Sequence, residues 1–199
     1  MEIKNGIIVD IDENDNKNLF IPKEVVGIDF DSDGVVVYEK FESITVEQGN
    51  TEFYVLNGCL IWREKQTIIF AVEGAKIPAD GSATKIGACA FAYHKNLKEI
   101  EIPACIKMIG YGTFMQTGLE KVVLNEGLEV LDAYAFGFNE NLKELALPES
   151  VNKIILHSIL EHTEIMTEPG YRNRTYLVYE NSYAHKWVKD CNLKYKLRR

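Results

Sequence analysis

Apolar positions in the middle of the chain recur at a fixed step. Ile86-Gly-Ala-Cys-Ala-Phe91 is followed by Ile109-Gly-Tyr-Gly-Thr-Phe114, Leu131-Asp-Ala-Tyr-Ala-Phe136 and Ile154-Ile-Leu-His-Ser-Ile159, at steps of 23, 22 and 23 residues. A second phrase, apolar-x-x-apolar-x-apolar, appears as Phe41, Ile44, Val46; Leu97, Ile100, Ile102; Leu119, Val122, Leu124; and Leu142, Leu145, Leu147. Its last two positions alternate, so they share one face of a short strand. A third spacing links the strand to the bend: Ile21, Val25, Ile28; Ile102, Ile106, Ile109; Leu124, Leu128, Leu131; Leu147, Val151, Ile154. Pro22, Pro103 and Pro148 follow three of these openings. Proline has no N–H for a ladder and ends the strand there.

A short strand repeating at this period predicts a solenoid of the leucine-rich-repeat kind. One repeat cannot bury its apolar face alone, whereas stacked repeats merge their columns into one core. The aromatic column reads Phe91, Phe114, Phe136 and then Ile159. The residue before it is small each time: Ala90, Thr113, Ala135 and Ser158.

The pattern is interrupted in three places. Two extra residues separate Ile28 from Phe41. Between Val46 and Ile77 the phrase is lost, and Tyr54–Trp62 and Thr67–Val72 read as two strands of a hairpin joined by Arg63-Glu-Lys-Gln66. A two-residue insertion falls in Asp80-Gly-Ser82. The first residues predict an edge strand at Ile7–Ile11 and a polar loop after it. At the other end, Thr175–Tyr179 reads as a strand. Tyr183, Trp187 and Cys191 recur at helical spacing behind a cap at Asn181 or Ser182. Leu193–Leu197 alternates as a final strand. The reading is one β-rich α/β solenoid over 1–199. It comprises a diverged N-terminal repeat (1–50), an inserted hairpin (51–76), regular repeats (77–165) and a strand–helix–strand cap (166–199).

Several of these phrases resemble one family. Leu97-Lys-Glu-Ile-Glu-Ile-Pro103, Lys85-Ile-Gly-Ala-Cys-Ala-Phe91 and Leu142-Lys-Glu-Leu-Ala-Leu-Pro148 are similar to the BspA-like leucine-rich repeats of bacteria. Asn57-Gly58 with Leu60-Ile-Trp62 resembles a hairpin often inserted in those arrays, and Asn181-Ser-Tyr-Ala-His-Lys-Trp187 resembles their terminal unit. The resemblance covers about residues 20–199. It implies a right-handed solenoid with a parallel sheet along one side. It also implies a role in adhesion or host contact for exported members, and no catalytic residue.

Composition narrows the function. The 199 residues are 46% hydrophobic, which supports a packed core. Net charge is −8, which argues against a nucleic-acid binder that works by neutralising phosphate. Residues 1–52 carry 13 acids and 4 bases, whereas 171–199 carry 2 acids and 8 bases. Oppositely charged ends make head-to-tail self-association an alternative function. No apolar run approaches the roughly 18–20 residues needed to cross a bilayer, so no membrane insertion is expected. Met1–Asp10 is no signal peptide, so the chain reads as cytoplasmic unless an export segment was removed.

Candidate chemistry is sparse. Cys59, Cys89, Cys105 and Cys191 have no CxxC or metal spacing and read as apolar fillers. His94, His157, His162 and His185 show no zinc arrangement. There is no GxSxG, GxGxxG or phosphate-binding loop, so no enzyme and no cofactor are expected. Asp29, Asp31 and Asp33 with Gly34 match the first half of a calcium loop. Lys40 stands where its bidentate Glu belongs, and acids with glycine also make plain turns. No metal site is favoured over that turn. What remains is surface. The expected partner is another protein or a surface macromolecule. The expected contact is the outward row of the strands: Ser43, Thr45, Glu99, Glu101, Lys121, Val123, Glu144 and Ala146.

Overall fold

The computed structural model describes residues 1–11, 17–29, 41–155 and 169–199. The chain begins with β1 (Glu2–Lys4), β2 (Ile7–Asp10), β3 (Asn18–Ile21) and β4 (Gly27–Ile28). β5 (Ser43–Val46) leads into β6 (Phe53–Leu56), β7 (Cys59–Trp62) and β8 (Thr67–Ala71). The regular coils then supply β9 (Lys85–Ile86), β10 (Glu99–Ile102), β11 (Met108–Ile109), β12 (Lys121–Leu124), β13 (Val130–Leu131), β14 (Glu144–Ala146) and β15 (Lys153–Ile154). A short helix α1 (Pro169–Arg172), β16 (Thr175–Tyr179), α2 (Tyr183–Asp190) and β17 (Tyr195–Arg198) follow.

Each regular coil carries two strands, and both stack in parallel on their counterparts. The resemblance implied a sheet along one side; the short bend strands form a second. β9, β11, β13 and β15 pair in parallel, with Ile86, Ile109, Leu131 and Ile154 in one register column. The longer strands pair as β3–β5, β10–β12 and β14–β16–β17, also in parallel. Ile21 and Ile102 each end a strand at the residue before proline, as the missing N–H requires.

The bend after the short strand explains the Gly-x-x-small-Phe phrase. In one coil the amides of Cys89, Phe91 and Tyr93 donate to Tyr111, Thr113 and Met115 carbonyls of the next, at 2.8, 2.9 and 2.9 Å. Gly112, Phe114 and Gln116 repeat this towards Ala133, Ala135 and Gly137. The alternate amides, such as Ala92 to Cys89 at 2.9 Å, close local turns. Aiming every second amide outward requires left-handed residues at fixed places. Cys89, Gly112 and Tyr134 have φ of 55°, 55° and 56°, and Tyr93, Gln116 and Phe138 have 64°, 54° and 55°. Only one of these six is glycine, so inter-coil bonding overrides the usual cost of a side chain there. Inside the bend, Phe91, Phe114 and Phe136 stack at centroid distances of 5.2 and 5.3 Å. Gly118 marks the tightest approach between coils, because a Cβ there would run into the Lys95 carbonyl.

A polar column runs through the buried bend. His94, Thr117 and Asn139 occupy equivalent positions and are all buried. The Thr117 hydroxyl donates to Asn139 Oδ1 at 2.7 Å, and Asn139 Nδ2 donates to the Phe114 carbonyl at 2.7 Å. At the C-terminal side Arg174, 1% exposed, completes this column. Its Nε donates to the Leu142 carbonyl at 3.0 Å, and Nη2 donates to those of Phe136 and Asn139 at 3.1 and 3.4 Å. The cap holds as the sequence predicted: Ser182 Oγ accepts the His185 amide at the start of α2, and Trp187 packs edge-on against Tyr176 at 5.3 Å. The final strand begins two residues later than expected, at Tyr195.

The inserted hairpin is present as β7 and β8 and gains a third strand. The run Tyr54–Trp62 breaks at Asn57-Gly58, where φ values of 52° and 81° make a two-residue turn of the kind Asn-Gly favours. The result is an antiparallel meander β6–β7–β8, and β8 then pairs in parallel with β9. All four residues of β7 are buried. Cys59 and Ile61 face one core, shared with the regular coils and the cap. Leu60 and Trp62 face a second core, formed with β2, β3, β4 and β5. The meander is therefore a wall between two cores, and a strand buried on both faces must be apolar throughout.

Two outcomes test this packing. Phe114→Ala should lower the unfolding free energy by about 3–5 kcal/mol in urea titration, because it empties the middle of the ring stack. Arg174→Met should lower it by roughly 2–4 kcal/mol, since it strands buried carbonyls, and Arg174→Lys should restore only part.

Candidate interaction surface

The expected row is built by strand alternation. In β12, Val122 and Leu124 are buried, so Lys121 and Val123 face outward. Parallel register puts Glu99 beside Lys121 and Glu101 beside Val123. On β14, Leu145 is buried, Glu144 is exposed and Ala146 is half-buried. Thr45 is exposed and Ser43 half-buried on β5.

The eight residues do not form one continuous row. Ser43 and Thr45 belong to the β3–β5 pair, on the far side of the meander from β10. β10 and β12 form a second pair, and β14 joins β16 and β17 in a third sheet. The structure adds residues that the spacing did not reveal. Phe20, 50% exposed, lies beside Thr45 on β3. Leu177 lies beside Ala146 and Lys196 on β16. Exposure of Phe20 follows from alternation with buried Leu19 and Ile21, but only once the strand bounds are known.

The charges on the outward face largely answer one another. Lys121 Nζ meets Glu99 Oε2 at 3.3 Å. Lys196 Nζ reaches across β16 to Glu144 Oε1 at 2.9 Å. Glu101 accepts from the neutral Asn125 amide at 2.9 Å. The face is therefore less acidic in effect than its composition. All four carboxylates and lysines of the two ion pairs are more than half exposed, so each pair contributes little to stability.

Beside β10 the surface opens into a groove of about 520 Å³. Ala75, Lys76, Ile77 and Ala79 form one wall, and Glu99, Ile100 and Glu101 form the other.

Cys59, Cys89 and Cys191 are poor nucleophiles. Burial pushes Cys59 up to about 12 and Cys89 up to about 11. Cys191 is also raised, by burial and then by the Asp190 charge. His94 packs its ring edge against Phe91 at 5.7 Å, as a core residue. Among the described residues no group of three or more His, Cys, Asp or Glu is placed to hold a metal. Asp31 and Asp33 of the calcium candidate, with His157 and His162, lie outside the described residues. Asp29 is described, and its amide extends the β2–β4 pairing by donating to the Ile8 carbonyl at 2.8 Å. No helix among the described residues is long and apolar enough to cross a membrane.

Stacked short parallel strands, in-register apolar columns and a repeating bend define a leucine-rich-repeat solenoid. A family model described as the BspA type leucine rich repeat region matches residues 71–185 in six copies. The chain belongs to that family. Among solved structures it is similar to the pneumococcal vaccine antigen PcpA, at 18% identity and a TM-score of 0.63, over 92% of this chain and 56% of that one. It is also similar to a leucine-rich repeat protein from Eubacterium ventriosum ATCC 27560, at 19% identity and a TM-score of 0.49, over 70% of this chain and 48% of that one. The chain spans about half the length of these two proteins. No curated protein matches it.

Alkylation at neutral pH should separate the four cysteines. Half-buried Cys105 and Cys191 should label first, and Cys59 and Cys89 only as the protein unfolds, read by peptide mass spectrometry. Lys121→Ala should change the unfolding free energy by less than about 1 kcal/mol.

Proposed function

We propose that this chain is a non-enzymatic protein-interaction module. It recognises another protein or a surface macromolecule through the outward face of β5, β10, β12 and β14. Adhesion or host contact is the role we assign it where the chain is exported. The observation that carries the reading is how the face is built. Stacked coils hold Glu99, Glu101, Lys121 and Val123 in one register, and a groove opens beside β10. Repeat proteins of this architecture commonly bind along such faces. The raised cysteine thiols and the core packing of His94 support a role other than catalysis.

Self-association through the charged ends is the competing reading, motivated by the excess of acids in 1–52 and of bases in 171–199. The basic end is thinner at the surface than its count, because Arg174 is buried and Lys196 is paired with Glu144.

Capture from extracts of the source cell and from host matrix tests the first reading. The pairs Glu99→Lys with Glu101→Lys, and Lys121→Glu with Val123→Asp, should each weaken capture at least tenfold with the fold intact. If capture survives both pairs, the face is not the site. Sedimentation at low and high salt tests the second reading, since an association driven by charged ends must dissolve as salt rises.

A further inference from the structure

β10 and β12 ladder only to each other, but β12 has β14 lying against its other edge, whereas among the described residues no strand lies against the other edge of β10. Its ladder to β12 uses the carbonyls of Lys98 and Ile102, which accept from Glu120, Lys121 and Asn125 at 2.8, 3.2 and 3.3 Å. Main-chain groups alternate sides along a strand, so those of Glu99 and Glu101 point to the opposite edge. There the preceding coil supplies no ladder. The Ala75 and Lys76 amides donate to Val72 and Asn57, both at 3.0 Å. Pro78 has no amide, and its carbonyl is met by Cys105 Sγ at 3.7 Å. Among the described residues no backbone hydrogen bond joins this segment to β10.

The same two coils are locked together a few residues further on. The Lys107 amide donates to Thr84 at 2.7 Å, and the Gly110 amide to Ile86 at 2.8 Å. The coils are thus closed at the bend and splayed at β10. The Lys76 amide is held by the Asn57 carbonyl of the meander rather than by β10. The groove of about 520 Å³ fills the splay, with half-buried Ile77 and Ile100 as its floor.

We propose that this open edge is a strand-addition site. This deepens the reading of the chain as a protein-interaction module and rests on it. The occupant is an extended segment of a partner protein, about four residues long to match β10 at about 3.3 Å per residue. It exchanges main-chain hydrogen bonds with Glu99 and Glu101, as strand-addition complexes do. An apolar residue points down onto Ile77 and Ile100. A Lys or Arg points outward against Glu101. The charge follows from the carboxylates in place: among the described residues Glu99 already has Lys121, whereas Glu101 has the neutral Asn125 amide and no cation. Lys76 stands on the far wall with no ion pair to either carboxylate.

The probe is a capped ten-residue peptide of alternating valine and threonine with one central lysine, beside a twin with glutamate in its place. Amide exchange of the whole chain is read with each. The lysine peptide should slow exchange at Glu99 and Glu101 at least tenfold, and the glutamate twin should bind at least tenfold more weakly. Glu101→Pro removes an amide facing the groove and leaves the β12 ladder intact, so it should abolish the protection at Glu99. Ala104→Trp blocks the groove rim without touching the ladder and should do the same, even if the proline variant fails to fold. No protection at saturating lysine peptide overturns the proposal. Equal binding to wild type and to Ala104→Trp also overturns it, and leaves the interaction-module reading standing with its site elsewhere. A wild-type dimer that Ala104→Trp makes monomeric would make the occupant a second copy, and so overturn the assignment to a partner protein.

Discussion

The structure depends on main-chain hydrogen bonds between the bends of successive coils. Cys89, Phe91 and Tyr93 donate to one coil, and Gly112, Phe114 and Gln116 to the following one. No coil satisfies all of its own amides, so none is stable alone. The apolar columns follow from this bonding. Once the bends are locked in register, Phe91, Phe114 and Phe136 fall into one stack, and His94, Thr117 and Asn139 into a polar column beside it. The left-handed residues are the conformational cost of that geometry. They recur at the same two places per coil whatever side chain the sequence supplies.

A stack held this way must be ended, and the two ends of the regular coils are ended by different physics. Towards the C-terminus, Arg174 supplies the donors that another coil would have supplied, and β16, α2 and β17 cover the apolar columns. Towards the N-terminus the meander provides a two-faced wall. It continues the bend column through β8 and β9, so the second core is joined to the first without a break on that side. It gives no matching strand to β10. The closed side and the open edge are consequences of the same insertion.

Much of this was legible in the sequence. The period, the strand column, the aromatic stack and the cap all follow from spacings of three, four, seven and about 23 residues, which depend on local geometry alone. The Asn57-Gly58 turn was legible as well, since Asn-Gly, like Asp-Gly, is a strong signal of a two-residue hairpin. Reading Tyr54–Trp62 as one strand let apolar continuity outweigh it. The structural need met at β7, burial on both faces, is what makes that run continuous. Arg174 was not legible: in the sequence it is one base among eight near the C-terminus, and its role exists only once Phe136, Asn139 and Leu142 are brought to it. The outward row was legible by parity. Its division into three sheets was not, because pairing between distant strands leaves no trace in the spacing.

The same distinction bears on where recognition occurs. A row of outward residues on closed strands has its backbone satisfied and, here, most of its charges matched by neighbours one or two strands away. Such a face offers a partner modest, solvent-screened contacts. An open strand edge offers directional main-chain donors and acceptors. Regular repeats give the protein its shape, and where β12 and β14 form no ladder the two strands still lie against each other. The departure from regularity between Val46 and Ile86 is therefore where the solenoid both breaks its pattern and leaves main-chain hydrogen bonding for another chain to complete.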